Sequence, residues 1–243
     1  MFDFKTNRIM LIIFAALILS GIVGMEKETI QGLILTLPGI LIAITFHEFA
    51  HAWAADRLGD DTPRYQGRLS LNPIKHLDPF GTILLLFAHI GWGKPVQVNP
   101  KNFKGDMGKG EVFVSVAGPA MNFILALVIL VIDHILSITG VYANLTSQAA
   151  SILGNITFLA VIINIGLGIF NLIPLPPLDG SKIFMNYLPF NARQWFIRNE
   201  KYFYIGFLVI FITGAAGRII SPILWAIYGG LDFVVSSIFG LFI

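Results

Sequence analysis

Long apolar runs without charged residues most restrict the folds open to this 243-residue chain. A helix that crosses a hydrocarbon core of ~30 Å needs about 20 mostly apolar residues. Six runs approach this length, namely residues 9–25, 29–46, 112–132, 149–172, 202–217 and 219–242. Only 12% of the residues are charged, about half the share of a soluble domain. The sequence predicts an all-α membrane protein of about six transmembrane helices, folded as a single domain over residues 1–243.

The positive charges indicate how these helices are oriented. With six crossings and the N-terminus inside, 14 of the 16 Lys and Arg residues fall in cytoplasmic segments. Cytoplasmic loops carry the excess of Lys and Arg, so both termini are predicted to lie inside. The first run could instead be a cleaved signal peptide, because Lys5 and Arg8 precede it. Asp232 leaves open whether the last run is complete or ends near Leu231.

Composition limits the partners and the metal ligands. A net charge of +2 is too small for a nucleic-acid-binding domain, so the expected partner is the lipid bilayer. The chain contains no cysteine. Any bound metal must therefore be held by His, Asp or Glu side chains.

The longest connection, residues 56–111, has its own pattern. An apolar run at residues 81–91 is too short to cross a membrane, so it is expected to dip into the membrane edge. Residues 94–100, Lys-Pro-Val-Gln-Val-Asn-Pro, alternate as a short strand does. The pattern predicts a membrane-edge loop with a short β-hairpin between the second and third spans.

The second span ends in the sequence His47-Glu48-Phe-Ala-His51. Residues four apart lie on one face of a helix, so both imidazoles can reach one Zn²⁺ while Glu48 stands beside its open position. A charged residue at mid-depth in a bilayer costs roughly 2.5–3.5 kcal/mol, which argues that these residues have a function. The spacing predicts one Zn²⁺ per chain, with Glu48 as the general base.

A catalytic zinc needs a third protein ligand. On a continuing helix Asp56 would point about 140° away from His51, which argues against it. Asp60 and Asp61 could reach the metal only if that helix ends early. Asp179 follows the fourth span in a proline-rich turn on the same side as the histidines, which favours it.

Two motifs resemble those of the site-2 proteases, which are polytopic intramembrane zinc metalloproteases. They are His-Glu-Phe-Ala-His at residues 47–51 and Asn-x-x-Pro-x-Pro-x-Leu-Asp-Gly at residues 171–180. The resemblance implies that His47, His51 and Asp179 are the zinc ligands and that Glu48 is the catalytic base. It also implies that Asn122 and Asn171 flank the site, and that Val96 and Val98 belong to a strand edge that binds substrate. Unlike larger members, the chain shows no PDZ domain and no nucleotide-binding domain.

These observations predict an intramembrane endopeptidase that hydrolyses a peptide bond in or near a transmembrane segment. Its expected partner is a membrane-anchored protein substrate, with no nucleic acid and no nucleotide. The protein is expected to be multi-pass, with its active site near the cytoplasmic face of a prokaryotic plasma membrane. Two other functions remain open: a transporter or channel that uses the His/Glu/Asp cluster for ions, and a non-proteolytic metal-binding relative.

Overall fold

A computed structural model describes residues 27–78, 81 and 93–241 of the chain. The first predicted span, residues 9–25, and most of the apolar run 81–91 lie outside the described residues. Within them the chain forms eight α-helices: α1 Lys27–Arg57, α2 Thr62–Tyr65, α3 Met107–Ile138, α4 Ser147–Asn171, α5 Asp179–Asn186, α6 Phe190–Arg198, α7 Glu200–Ile212 and α8 Ala215–Gly240. Short 3-10 turns lie at Pro73–Lys75, Pro100–Asn102 and Tyr142–Asn144.

Four of these helices, α1, α3, α4 and α8, are long and apolar enough to cross a membrane. Side-chain caps define where two of them begin: the Asp106 carboxylate accepts from Lys109 N–H, and the Thr146 hydroxyl accepts from Ala149 N–H. Such caps satisfy backbone N–H groups that lack a partner within the helix. The finding confirms the predicted class, an all-helical multi-pass membrane protein.

The centre of the bundle is formed by α1, α3 and α4, which contact one another. Small residues allow this close packing, as is usual between membrane helices. A Cβ at Gly39 of α1 would lie 2.8 Å from the Ala160 Cα of α4, and one at Gly168 would lie 2.9 Å from the Phe123 ring. Helix α8 packs on the outside of α3 and α4. The buried apolar residues there are Ala126, Leu130, Val161, Ile165, Ile169 and Val235.

The helix observed in the region of the fifth predicted span is shorter than the sequence predicts. Helix α7 has 13 residues, which correspond to about 20 Å of helix and do not cross a core of ~30 Å. Gly214, with φ at +70°, then separates α7 from α8. The prediction of a crossing at residues 202–217 is wrong, because the chain turns before the helix reaches spanning length.

Helix α8 therefore enters the bundle from the end that holds His47. Near its start, Leu224 lies against Gly166 in the half of α4 nearest that end. Farther along, Asp232 lies 3.9 Å from His134 of α3, and the Phe239 ring stacks on the His134 ring. Helix α8 is thus parallel to α3 and continues through Asp232. The six-span scheme places the end of the last helix on the same side as His47, whereas in the structure α8 ends on the opposite side of the bundle, beyond His134.

The predicted β-hairpin is absent from the described residues. One isolated antiparallel bridge joins Leu77 and Gly93, and residues 94–99 run without regular hydrogen-bonded structure. Side chains take the place of a second strand. Arg68 donates to the carbonyl oxygens of Lys94 and Pro95, and Asp60 accepts from the N–H of Asn99. Because these backbone groups already have partners, the segment is stable without a neighbouring strand.

Candidate metal centre

The two histidines of α1 and the aspartate that begins α5 come together inside the bundle. His47, His51 and Asp179 are 5%, 7% and 9% exposed. The Nε2 atoms of the two imidazoles are 3.0 Å apart. The Asp179 Oδ2 atom lies 3.1 Å from His47 Nε2 and 3.0 Å from His51 Nε2. Among the described residues, these three side chains form the group of His, Asp and Glu residues able to hold a metal ion.

A tight turn brings Asp179 to the histidines. Helix α4 ends at Asn171, and α5 begins at Asp179. Gly180 packs directly against the backbone at the end of α4, where a Cβ would overlap the Leu172 carbonyl group. A residue with a side chain would push α5 away from α4. Gly180 is thus needed for Asp179 to reach α1.

The hydrogen bond of His51 determines which ring nitrogen is free. Its Nδ1 lies 2.7 Å from the carbonyl oxygen of Val114 in α3. A carbonyl oxygen only accepts, so Nδ1 must carry the hydrogen. The lone pair of the neutral ring is therefore on Nε2, which faces Asp179.

His47 is held by a chain of buried amides that ends on backbone carbonyls. Asn164 donates through Nδ2 to the carbonyl oxygen of Ala160, so its Oδ1 faces Asn122. Asn122 donates through Nδ2 to that Oδ1 and to the carbonyl oxygen of Ala43, at 3.1 Å each. Its own Oδ1 then accepts from His47 Nδ1 at 2.6 Å. This network places the His47 lone pair on Nε2 as well.

The donor set fits a metal ion such as Zn²⁺. Two imidazole lone pairs and a carboxylate oxygen converge, and such acceptors repel one another unless a cation lies among them. Their separations of 3.0–3.1 Å are close to the ~3.3 Å between ligands of a tetrahedral zinc. Gly118 leaves the space beside them open, because a Cβ there would lie 2.7 Å from His47 Nε2.

The charge state of Asp179 also suits a ligand. Burial opposes its ionisation. When the imidazoles are protonated, however, the positive charge of His51 and hydrogen bonds from both rings outweigh burial. The pKa of the Asp179 carboxyl is therefore held well below its usual range. Lys182 Nζ, 3.7 Å from Oδ1, adds a further positive charge nearby. The carboxylate is ionised at neutral pH, as metal binding requires.

The cluster opens into a cavity of about 960 Å³. Seven of the eight predicted site residues line it: His47, Glu48, His51, Val96, Val98, Asn171 and Asp179. Glu48 Oε2 accepts from the N–H of Val96 at 2.8 Å. Asn122 lies behind His47, while Asn171 donates to the carbonyl oxygen of Leu167 in its own helix. The structure thus brings Asn122 to a ligand and leaves Asn171 on the cavity wall.

The other candidate carboxylates have different partners. Asp56 pairs with Arg64 at 2.8 Å. Asp60 is fully buried and accepts from Thr62, Asn99 and Asn102. Burial opposes its ionisation, yet these hydrogen bonds lower the pKa of Asp60 below its usual value. Asp61 is exposed and lies 3.9 Å from Arg64. None of these three carboxylates belongs to the group of possible metal ligands in the described residues, so the alternatives to Asp179 are not supported.

Three contributors to the site were missed from the sequence. Asn164 could have been found, because an amide in the middle of a long apolar run needs a polar partner. Gly118 lies in the Ala-Gly-Pro-Ala-Met-Asn stretch at residues 117–122, but its role depends on what faces it. The Val114 carbonyl group carries no sequence signal, since every residue has one.

Comparison with known proteins agrees with this geometry. The model of "Peptidase family M50" matches residues 35–140 and 132–213. "Putative zinc metalloprotease YwhC" of Bacillus subtilis is 41% identical over 82% of this chain and 90% of its own length. "Putative zinc metalloprotease Rip2" of Mycolicibacterium smegmatis is 29% identical over 76% of this chain and 69% of its own length. No solved structure was found to match. The family match spans most of the chain, and the chain therefore belongs to peptidase family M50.

Proposed function

We propose that the protein is a zinc-dependent intramembrane endopeptidase that cleaves a membrane-anchored protein in or near a transmembrane segment. The observation that carries the proposal is the convergence of two imidazole nitrogens and a buried carboxylate on one wall of a large cavity. Glu48 lines the same cavity without joining that group of ligands. A carboxylate that lies near the ligands without being one of them suits metal-assisted hydrolysis.

In this proposal His47, His51 and Asp179 hold the zinc. Bound zinc would polarise a peptide carbonyl and lower the pKa of a water molecule. Glu48 accepts a proton from that water and returns it to the leaving amine. Asn122 and the Val114 carbonyl keep the two imidazoles turned with Nε2 towards the cavity.

The cavity suits a substrate that comes from the membrane. Leu167, Phe170 and Phe207 form an apolar wall, whereas Lys182 and Glu111 line the polar side. A transmembrane substrate helix must unwind before its peptide bond can be attacked, because its amides are bonded internally. Residues 93–98, which include Val96 and Val98, border the cavity where an unwound substrate segment could lie.

The location follows from the charges. In the described residues, Lys and Arg concentrate in the connections next to the metal centre, at residues 57–109 and 182–201. Arg218, at the start of α8, joins the same end. The positive-inside rule makes this end cytoplasmic. The relatives found are bacterial, which supports a prokaryotic plasma membrane as the site of action.

An ion transporter is the weaker alternative. A transport path would need polar groups through the whole depth of the bundle. Between the metal centre and the opposite end, the described helices instead pack Ala126, Leu130, Val161 and Ile165 into an apolar core. A non-proteolytic hydrolase would use the same residues, so activity on peptides must separate it from a protease.

The decisive experiment incubates the purified full chain with a library of transmembrane peptides. We expect one zinc per chain and cleavage by the wild type. Glu48→Gln should keep the zinc and lower cleavage by about 100-fold or more, because it removes the base but no ligand. Asp61→Asn, a change at an exposed carboxylate that does not line the cavity, is the matched control. Undiminished cleavage by Glu48→Gln, or no zinc above background, would refute the proposal.

A further inference from the structure

Arg68 is a buried arginine in the connection between α2 and the Pro73–Lys75 turn. It is 4% exposed, and arginine is rarely buried unless its guanidinium group is paired. The three hydrogen bonds that its guanidinium makes to described residues all go to backbone carbonyl oxygens. They belong to Lys75, to Lys94 at 2.8 Å and to Pro95 at 3.0 Å. One side chain thus joins the Pro73–Lys75 turn to the extended segment that borders the cavity.

The carbonyl group of Pro95 shares its peptide unit with the N–H of Val96. Arg68 holds the carbonyl oxygen of this unit, and Glu48 Oε2 accepts from its N–H at 2.8 Å. A trans peptide is planar, with its C=O and N–H directed to opposite sides. Fixing the oxygen therefore also fixes the direction in which the N–H points. The orientation of the Pro95–Val96 peptide links the guanidinium to the carboxylate.

This link leaves Glu48 with one oxygen held and one available. Among the described residues, Val96 N–H is the group that donates to Oε2, and none donates to Oε1. Charge also connects the two side chains. Burial lowers the pKa of Arg68, and the negative charge of Glu48 acts in the opposite direction.

We propose that Arg68 is the positioning residue for Glu48, acting through the Pro95–Val96 peptide. The consequence for catalysis rests on the proposed function, whereas the link itself does not. Lysine cannot replace arginine here, because an ammonium group lacks the planar fork that reaches several carbonyl oxygens at fixed angles. Glu48 would then lose its fixed orientation while the metal ligands keep theirs, since the latter depend on Val114, Asn122 and Asp179.

The link can be measured without any activity assay. The full chain is labelled with ¹⁵N-valine, and the amide signal of Val96 is assigned by its loss in Val96→Ile. A hydrogen bond to a carboxylate moves this amide proton downfield, so Glu48→Gln should move it upfield. Arg68→Lys should move it in the same direction. Arg64→Lys is the control, because Arg64 is exposed and pairs with Asp56. A Val96 signal unchanged in Arg68→Lys would overturn the proposal.

Activity supplies the second arm. We expect Arg68→Lys to lower kcat by about 10-fold or more, with KM and zinc content unchanged, because a displaced base weakens only the chemical step. Val96→Pro removes the donor while keeping Arg68, and it should cause a similar loss. The double variant should be no worse than either single variant, since both break one link.

The outcomes separate the two hypotheses. If the wild type binds zinc but cleaves no peptide, the proposed function fails, and the Val96 signal still decides the link. If Arg68→Lys does not fold, Val96→Pro decides: unchanged kcat in that variant overturns the positioning role. Loss of zinc in either variant, with the kcat per bound zinc unchanged, would also overturn it, because Arg68 would then support the fold and not the base.

Discussion

The bundle carries two polar clusters at opposite ends of the same helices. The inner cluster is the candidate metal centre, made of His47, His51 and Asp179 with Asn122 and Asn164 behind them. The outer cluster contains Asp133, His134, Tyr142, Thr157 and Asp232. Both contain imidazole and carboxylate groups, so composition alone does not distinguish them.

The two clusters differ in whether their acceptor atoms already receive hydrogen bonds from protein groups. In the outer cluster the Asp133 carboxylate already accepts from the Tyr142 and Thr157 hydroxyls. His134 Nδ1 lies 3.1 Å from the Leu130 carbonyl oxygen, and its Nε2 faces an Asp232 carboxylate that is 43% exposed and 3.9 Å away. In the inner cluster three acceptors converge without a donor of their own. A metal site thus requires acceptor atoms to which no protein group donates a hydrogen bond. Residue types alone do not reveal which acceptors these are.

Zinc affinity should differ most between the two clusters when a carboxylate is lost from each. Asp179→Asn replaces the carboxylate with a neutral amide, a poor ligand for a dication, so we expect zinc affinity to fall by more than about 100-fold. Asp133→Asn is the same change in the outer cluster and should leave zinc bound. Zinc content after dialysis against a graded chelator measures both. Equal zinc retention by the two variants would contradict the ligand assignment.

The space beside the inner cluster should matter almost as much. Gly118→Ala places a methyl group 2.7 Å from His47 Nε2, closer than van der Waals contact allows, so the imidazoles must move. We expect a zinc affinity at least about 10-fold weaker and a matching loss of activity. Gly154→Ala in α4 is the control, because no atom lies within 4 Å of its added Cβ. If Gly118→Ala binds zinc as tightly as the wild type does, Gly118 does not pack closely against the imidazoles.

The amide chain behind His47 should have the smallest effect of the three. Asn164→Leu keeps the size of the side chain but removes the oxygen that accepts from Asn122. Asn122 can then reorient, and we expect zinc affinity to fall by about 10-fold, the usual cost of losing a partner behind a ligand. Asn155→Leu, an exposed amide in the same helix, should change nothing. Zinc titration of both variants tests this, and equal affinities would exclude a role for Asn164.

Some features were predictable because they depend on neighbours along the chain. Helix-forming apolar runs, the shared face of His47 and His51, and the position of Glu48 beside them follow from length and from helical period. Other features depend on residues that are distant in the sequence, and there the predictions failed. The alternation around Val96 resembles a strand, yet Arg68 and Asp60 occupy the backbone groups that a second strand would use. Similarly, the apolar run at residues 202–217 gave no sign that Gly214 would separate α7 from α8.

The sequence by itself determined the class of the protein, its four long apolar helices and the pair of histidines that share one helical face. Only the tertiary structure decided that Asp179, 128 positions after His51, reaches that face, that α8 runs parallel to α3, and that buried amides orient His47. The reason is physical. Hydrophobic periodicity and residue spacing relate the positions of residues within one helix. A metal site instead needs lone pairs that converge, and their directions depend on how several helices pack against one another.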